Sequence, residues 1–324
     1  MEIKINSNLL QVKDNFDIFI FDAYGVFYNG NTFFEGALDV MERLILEGKI
    51  VYILSNTTAD AENNIKKYAE KGMLKGKHYI EFISSGEVLK DVFTNGKLNF
   101  KTKPNVKKVY VSGKKNDALF KNSTYIQVDN LKDADFIYLS AQRFSKDEYE
   151  KLKDKYGKYL FETKKSTEEK KEYSSTNIEP YMDKINEIIA TGLPVLNGNP
   201  DYSANEGVKD GTNQFLITPG SITKILKEKG IEVVEYGKPY LTTYEYVFNV
   251  FKQNNIAFDK EKTCMVGDTL RTDIKGANNA GIKSVLCIET GITAKLINEG
   301  EILENLIAVE KVKVDYCIKS VSGY

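Results

Sequence analysis

The sequence predicts an α/β protein: a parallel sheet interleaved with helices, interrupted once by a second α/β domain. Three observations carry this expectation. Short apolar runs of strand length alternate with amphipathic segments of helical period along the 324 residues, the pattern of strand–helix–strand crossovers. Several of those runs end directly in polar or glycine-containing turns, as strands do at the carboxyl edge of an open parallel sheet. The alternation also breaks at 94–106, Thr-Asn-Gly-Lys-Leu-Asn-Phe-Lys-Thr-Lys-Pro-Asn-Val, and restarts with a fresh set of strands that closes in a polar stretch running to Gly211. A core of 1–97 and 213–324 with a domain inserted at 98–212 is the simplest organisation.

The first core strand is Asp17-Ile-Phe-Ile-Phe, which delivers Asp22 at its carboxyl end ahead of the turn Ala-Tyr24-Gly-Val. A helix near 35–47 follows, with Ala37, Leu38, Met41, Leu44 and Ile45 at helical spacing. The strand 49–54 ends in Ser55-Asn56-Thr57-Thr58, and a helix at 59–71 and a strand at 79–84 continue the alternation. In the inserted domain, strands are expected at 107–112 and 135–140 and helices near 145–156 and 177–190, closing at Pro194-Val-Leu-Asn-Gly-Asn-Pro-Asp201. The core pattern then resumes with a helix at 220–229 and a strand at 231–236 that ends in Gly237-Lys238-Pro239. The helix 242–253 aligns Tyr244, Val247, Phe248 and Phe251 on one face. A strand at 263–266 runs into Gly267-Asp268, a helix carries Ala277 and Ala280, and strands at 284–288 and near 312–318 complete the chain. No internal repeat is present.

Composition narrows the function. Forty-six acidic residues nearly cancel 45 basic ones, for a net charge of −1, so no field steers nucleic acid or an anionic membrane to the chain. No apolar run approaches the ~20 residues of a membrane helix, and Met-Glu-Ile-Lys-Ile-Asn lacks the pattern of a secretory signal. Cys264, Cys287 and Cys317 lie in apolar segments without metal spacing. Reduced, buried thiols in a cytoplasmic protein are expected. The single histidine, His78 in Lys-Gly-Lys-His-Tyr, is expected at the surface, which disfavours hydrolases built on histidine. The run Lys164–Glu172 belongs to a balanced stretch, with nine lysines and eight acids across 145–172, and reads as a solvated face.

Four segments at expected strand ends can act together. Asp22 is placed to attack phosphorus and form an aspartyl-phosphate. Ser55 and Asn56 offer a hydroxyl and an amide for phosphoryl oxygens, and Lys238 offers a cation against their charge. Asp268 and Asp273, in Gly267-Asp-Thr-Leu-Arg-Thr-Asp273, are hard oxygen ligands suited to Mg²⁺. Alone, each could be a turn residue or a helix cap. Phosphoryl transfer, however, depends mostly on positioning and charge stabilisation, and the set supplies both.

In this order the segments resemble the haloacid dehalogenase-like superfamily. More narrowly they are similar to its phosphatase branch with a large α/β cap between the second and third motifs, the group of p-nitrophenyl, sugar and nucleotide phosphatases. Asp22-Ala-Tyr-Gly-Val, Leu54-Ser55-Asn56, Gly237-Lys238-Pro239 and Gly267-Asp268-Thr-Leu-Arg-Thr-Asp273 stand where that branch has its four motifs, and Gly198-Asn199-Pro200-Asp201 matches a segment near the end of its cap. The resemblance implies a Rossmann-like parallel-sheet core with an inserted α/β cap domain, acting on a small phosphorylated metabolite. It makes Asp22 the nucleophile and Ser55 and Lys238 phosphoryl ligands. Asp22, Asp268 and the backbone carbonyl of Tyr24 would hold Mg²⁺, with Asp273 supporting its water shell. Some relatives pair through their caps, which implies a homodimer as one state.

Tyr24 departs from the pattern, because the family places there a second aspartate that protonates the leaving oxygen and then activates water. A positioned acid/base contributes about 10²–10⁴ in rate, and tyrosine, with an ordinary pKa near 10, is a poor base at neutrality. A slow or specialised phosphatase or phosphotransferase is therefore expected. The alternatives are a phosphate-ligand-binding regulatory protein without useful turnover and a 2-haloacid dehalogenase. Retention of Asp22, Lys238, Asp268 and Asp273 disfavours the first alternative. The second fits poorly with the Gly-Asp start of the fourth motif and with the place of the insertion. Specificity is expected from the cap, where Gln142, Arg143 and Asp201 are candidates to touch substrate, loop solvation being the plainer reading of the first two. The connections 94–106 and 201–212 are candidate hinges for cap closure.

Overall fold

The computed structural model describes residues 4–96, 98–115, 117–164, 171–209 and 212–323. The chain folds into two compact units, Met1–Ser85 with Gly237–Tyr324, and Gly86–Tyr236.

The first unit is built on a seven-stranded, wholly parallel sheet. Its spatial order is Ile5–Asn6, Tyr316–Ile318, Lys283–Cys287, Thr263–Gly267, Ile18–Phe21, Ile50–Ser55, Glu81–Ser84. The central strands are apolar from end to end because helices cover both faces. Alternate side chains take opposite faces of the pleat. Phe19, Phe21, Val51, Ile53, Cys264 and Val266 pack with Ala37, Met41 and Leu44 of the helix Ala37–Leu46 and with Tyr68 of the helix Ala61–Ala69. Ile18, Ile20, Tyr52, Leu54 and Met265 pack on the other face with Tyr244, Val247 and Phe251 of the helix Leu241–Gln253 and with Ala277 and Ala280. Cys264, Cys287 and Cys317 are buried free thiols, as expected. Burial raises all three pKa values, that of Cys317 to about 12, which leaves them unreactive.

Strand order places the functional edge. Ile18–Phe21 and Thr263–Gly267 are neighbours, but the chain leaves the first toward Ile50–Ser55 and the second toward Lys283–Cys287. The crossovers therefore diverge at this pair and open a crevice beyond its carboxyl ends. Asp22 and Asp268 are the next residues after those two strands.

The second unit holds a five-stranded parallel sheet in the order Val233–Glu235, Val195–Asn197, Phe136–Leu139, Lys108–Ser112, Ile126–Val128. Val109, Phe136, Tyr138 and Leu196 pack against Leu89, Val92 and Phe93 on one face. Ile137, Leu139 and Val195 pack against Ile185, Ile188, Ile222 and Leu226 on the other. Two antiparallel pairs, Leu160–Lys164 with Lys171–Ser175 and Ser203–Lys209 with Thr212–Ile217, were not visible in the sequence pattern.

Several expectations are corrected. The second unit includes 86–97 and 213–236, which the sequence pattern assigned to the core. The strand Val233–Glu235 pairs with Val195–Asn197, so Lys238 does not follow a core strand. Three residues reading Val-Val-Glu carry no mark of which sheet they will join, and the long-range partner decides it. Within the expected linker 94–106, Leu98 and Phe100 are buried in the second unit's core. His78 is buried, and its Nδ1 accepts the Leu74 N–H at 2.9 Å, closing a turn. Most of the charged run 164–172, and residues 210 and 211 of the second hinge, lie outside the described residues.

Candidate active site

Asp22 is held by its backbone N–H, which donates to the Val266 carbonyl at 2.9 Å. Its side chain meets Lys238, whose Nζ lies 2.5 Å from Asp22 Oδ1. The same ammonium donates to the Leu54 carbonyl at 2.9 Å and pairs with Asp273 Oδ1 at 2.8 Å. Lys238 is 1% exposed, so its charge is desolvated, and two carboxylates and a carbonyl compensate it.

The Lys238 main chain is gripped by Asn56. Its Oδ1 accepts the Lys238 N–H at 2.7 Å, and its Nδ2 donates to the Lys238 carbonyl at 3.1 Å. The Asn56 amide thus positions the lysine, a role the sequence did not announce. Ser55, buried at the end of its strand, has its Oγ 3.4 Å from the Thr57 N–H.

Asp273 and Asp268 are set by a π-helical turn over Leu270–Ile274, directly after the strand Thr263–Gly267. Such turns recur where a helix must present a side chain irregularly. Asp273 Oδ2 accepts the Asp268 and Thr269 N–H groups at 3.2 and 3.1 Å. With Oδ1 on Lys238, Asp273 ties the third and fourth motifs together. The Asp268 carboxylate receives the Ile292 N–H on Oδ2 at 2.5 Å. Its carbonyl receives the Thr293 hydroxyl at 2.5 Å. Gly25 and Gly291, both at positive φ, leave room for this carboxylate, and a methyl group at either would overlap it. The support from Gly291-Ile-Thr293 was missed in the sequence, although its place after the strand Lys283–Cys287 could have marked it.

Asp22, Asp268 and Asp273 each present a carboxylate oxygen, and these lie within 4.8 Å of one another. Three carboxylates converging with one ammonium leave uncompensated negative charge, so the donor set fits a hard divalent cation. Tyr24 sits in the turn after Asp22, its ring edge-on to Tyr28 at 5.4 Å between centres. Its hydroxyl accepts from Lys67 Nζ at 3.3 Å, a neighbour that no sequence signal announced.

The candidates in the second unit have local roles. Gln142 is fully buried, and its Nε2 donates to the carbonyls of Ser112 and Ser140 at 2.9 and 2.7 Å, joining two strand ends. Burial corrects the expectation that it is solvated in a loop. Arg143 pairs with Glu172 at 3.2 Å. The Asp201 N–H donates to Asn199 Oδ1 at 3.1 Å, and its carbonyl accepts the Thr218 hydroxyl.

Residues 19–122 match the model of the haloacid dehalogenase-like hydrolase family, and residues 235–321 match a model described as HAD-hydrolase-like. The chain is 25% identical to phosphoglycolate phosphatase 2 of Arabidopsis thaliana, over 98% of this chain and 95% of that one. It is 27% identical to a 4-nitrophenylphosphatase of Schizosaccharomyces pombe, over 95% and 93%. Among solved structures, a haloacid dehalogenase-like hydrolase from Brucella suis superposes with a TM-score of 0.72 at 16% identity, covering 97% of this chain and 98% of that one. A possible sugar phosphatase from Cytophaga hutchinsonii gives 0.70 at 18%, covering 99% of each. These two likenesses speak to the fold. No helix among the described residues is long and apolar enough to cross a membrane.

Proposed function

Because the chain belongs to the haloacid dehalogenase-like superfamily of hydrolases, we propose that it is a phosphatase that cleaves small phosphate monoesters through Asp22. The observation that carries the reading is the bridge by Lys238 from Asp22 to Asp273 beside Asp268, at the carboxyl edge of the central strands. Two relatives named phosphoglycolate phosphatase and 4-nitrophenylphosphatase support a small phosphate ester as substrate.

Asp22 Oδ attacks phosphorus, the ester P–O bond breaks, and an aspartyl-phosphate forms as the alcohol leaves. Water then attacks that phosphorus and returns the Asp22 carboxylate with inorganic phosphate. Lys238 holds Asp22 in place and opposes the charge that gathers on the phosphoryl oxygens. Asp22, Asp268 and the Tyr24 carbonyl are the groups that would hold Mg²⁺, with Asp273 as support. A bound Mg²⁺ supplies further charge neutralisation at the phosphoryl group. With Tyr24 in place of a carboxylate, proton transfer to the leaving oxygen is weakened, and esters with good leaving groups turn over best. Three converging carboxylates favour this reading over a halide pocket.

The test is phosphate release from 4-nitrophenyl phosphate with and without Mg²⁺, beside Asp22→Asn. Metal-dependent release that disappears in the variant is the expected result. No release above the variant's level, with phosphate still bound, would move the assignment to a phosphate-binding protein.

A further inference from the structure

One cation beside Tyr24, in the turn after Asp22, has no opposite charge against it among the described residues. Lys67, on the helix Ala61–Ala69, is half-buried among tyrosine rings. Its Nζ lies 4.8 Å from the ring centre of Tyr28, 5.6 Å from that of Tyr24 and 5.8 Å from that of Tyr68. Its hydrogen bond runs to Tyr24 Oη. Three other partly buried lysines of this unit do face acids: Lys13 faces Glu47, Lys49 faces Asp17 and Lys283 faces Glu261. Lys67 has no carboxylate partner among the described residues. Aromatic faces hold an ammonium by about 0.5–2 kcal/mol, but they do not neutralise it.

The cluster is continuous with the nucleophile. Tyr24 is two residues beyond Asp22 in the same turn. The Tyr68 hydroxyl, beneath Lys67, is buried without a hydrogen-bond partner. The Tyr68 ring also packs edge-on against Tyr28, 5.3 Å between centres. Lys238 and the three aspartates are matched to a phosphoryl group and a cation. None of them can read what the phosphoryl group is attached to. An ammonium carries three donors, and Tyr24 engages one of Lys67's.

Resting on the phosphatase reading, we propose that Lys67, seated on Tyr24, Tyr28 and Tyr68, recognises an anionic substituent of the leaving group, so that the preferred substrate is a phosphate monoester whose alcohol carries a carboxylate. Lys67 is then a specificity-determining residue on the core unit.

Calorimetric binding to Asp22→Asn protein compares 3-phosphonooxypropanoate with n-propyl phosphate, esters that differ in the carboxylate. The carboxylated ester is expected to bind about tenfold tighter or better, the scale of one charge-assisted hydrogen bond. Adding Lys67→Met should bring the ratio close to one, while Lys67→Arg should keep most of it. Should Lys67→Met not fold, Lys67→Gln replaces it, and the ratio in the Lys67 protein is decisive by itself. Equal affinity for the two esters in that protein overturns the proposal and leaves the phosphatase reading intact. Equal weakening of both esters and of inorganic phosphate by Lys67→Met also overturns it, because Lys67 would then serve the phosphoryl group. Failure of both esters to bind, with no turnover of 4-nitrophenyl phosphate by the parent protein, removes the phosphatase reading and the proposal with it.

Discussion

The side-chain amide of Asn56 closes on both main-chain polar atoms of Lys238, 182 residues away in the chain, accepting its N–H at 2.7 Å and donating to its carbonyl at 3.1 Å. Asn56 follows a core strand, whereas Lys238 follows an edge strand of the other unit's sheet. The amide is therefore what registers the lysine against Asp22.

Asn56→Ala removes both of these bonds to the buried Lys238 main chain. The expected cost is about 2–3 kcal/mol of stability, read from urea unfolding, with a loss of kcat/KM for 4-nitrophenyl phosphate larger than the loss of folded protein explains. Unchanged kinetics in the folded fraction would show that the grip is merely structural.

Lys238→Met strands two carboxylates, Asp22 and Asp273, without their shared cation. Breaking a buried pair in this way costs about 3–5 kcal/mol, and turnover should fall by about 10²–10³. Lys238→Arg should not restore it, because the Leu54 carbonyl and both carboxylates converge on a single point donor. Full rescue by arginine would contradict that geometry.

Gly291→Ala pushes a methyl group into the Asp268 carboxylate at a backbone φ of 71°. Weaker Mg²⁺ binding is expected, measured by calorimetry on protein stripped with EDTA, together with a destabilisation of about 1–2 kcal/mol. Parent-like Mg²⁺ affinity in the variant would mean that Asp268 does not hold the cation.

Tyr24→Asp supplies a carboxylate where proton transfer is needed. A gain in turnover is expected, up to about 10²–10⁴ on esters with poor leaving groups and smaller on 4-nitrophenyl phosphate. A uniform loss across leaving groups would show that the Tyr24–Lys67 contact matters more than a general acid.

His78 gives a pH signature, being the only histidine. Burial, then the nearby Lys77 charge, holds its pKa below the ordinary 6.5, so as pH falls the unfolded chain takes up the proton first. The stabilisation from the neutral imidazole is complete above pH 6.5 and is lost as pH drops through the folded-state value. The stability difference between the parent and His78→Asn should therefore shrink from pH 7.5 to pH 5 in urea titrations. A constant difference would sink this account.

Most of the site's parts were legible because strand-end residues are local features. Asp22, Ser55, Asp268 and Asp273 announce themselves by an apolar run and a turn. The role of Asn56 was not legible, since an amide can face a ligand or a backbone equally well until its partner is in place. Gln142 and His78 were misplaced for the same reason: polar residues flanked by lysine, arginine or glycine look exposed, yet Gln142 lies inward across two strand ends and His78 closes a turn.

By itself the sequence determined the α/β class and marked Asp22 and the later aspartates at strand ends and turns, because hydrophobic period and turn chemistry act over a few residues. Tertiary structure alone decided that Val233–Glu235 joins the inserted sheet, that Asn56 grips Lys238, that Gly291-Ile-Thr293 cradles Asp268 and that Lys67 settles on three tyrosine rings. Apart from Tyr68, the chain neighbour of Lys67, each of these partners lies tens to hundreds of residues away. The energy of such a pairing exists only once the sheet has brought the partners together, so no local pattern can encode it.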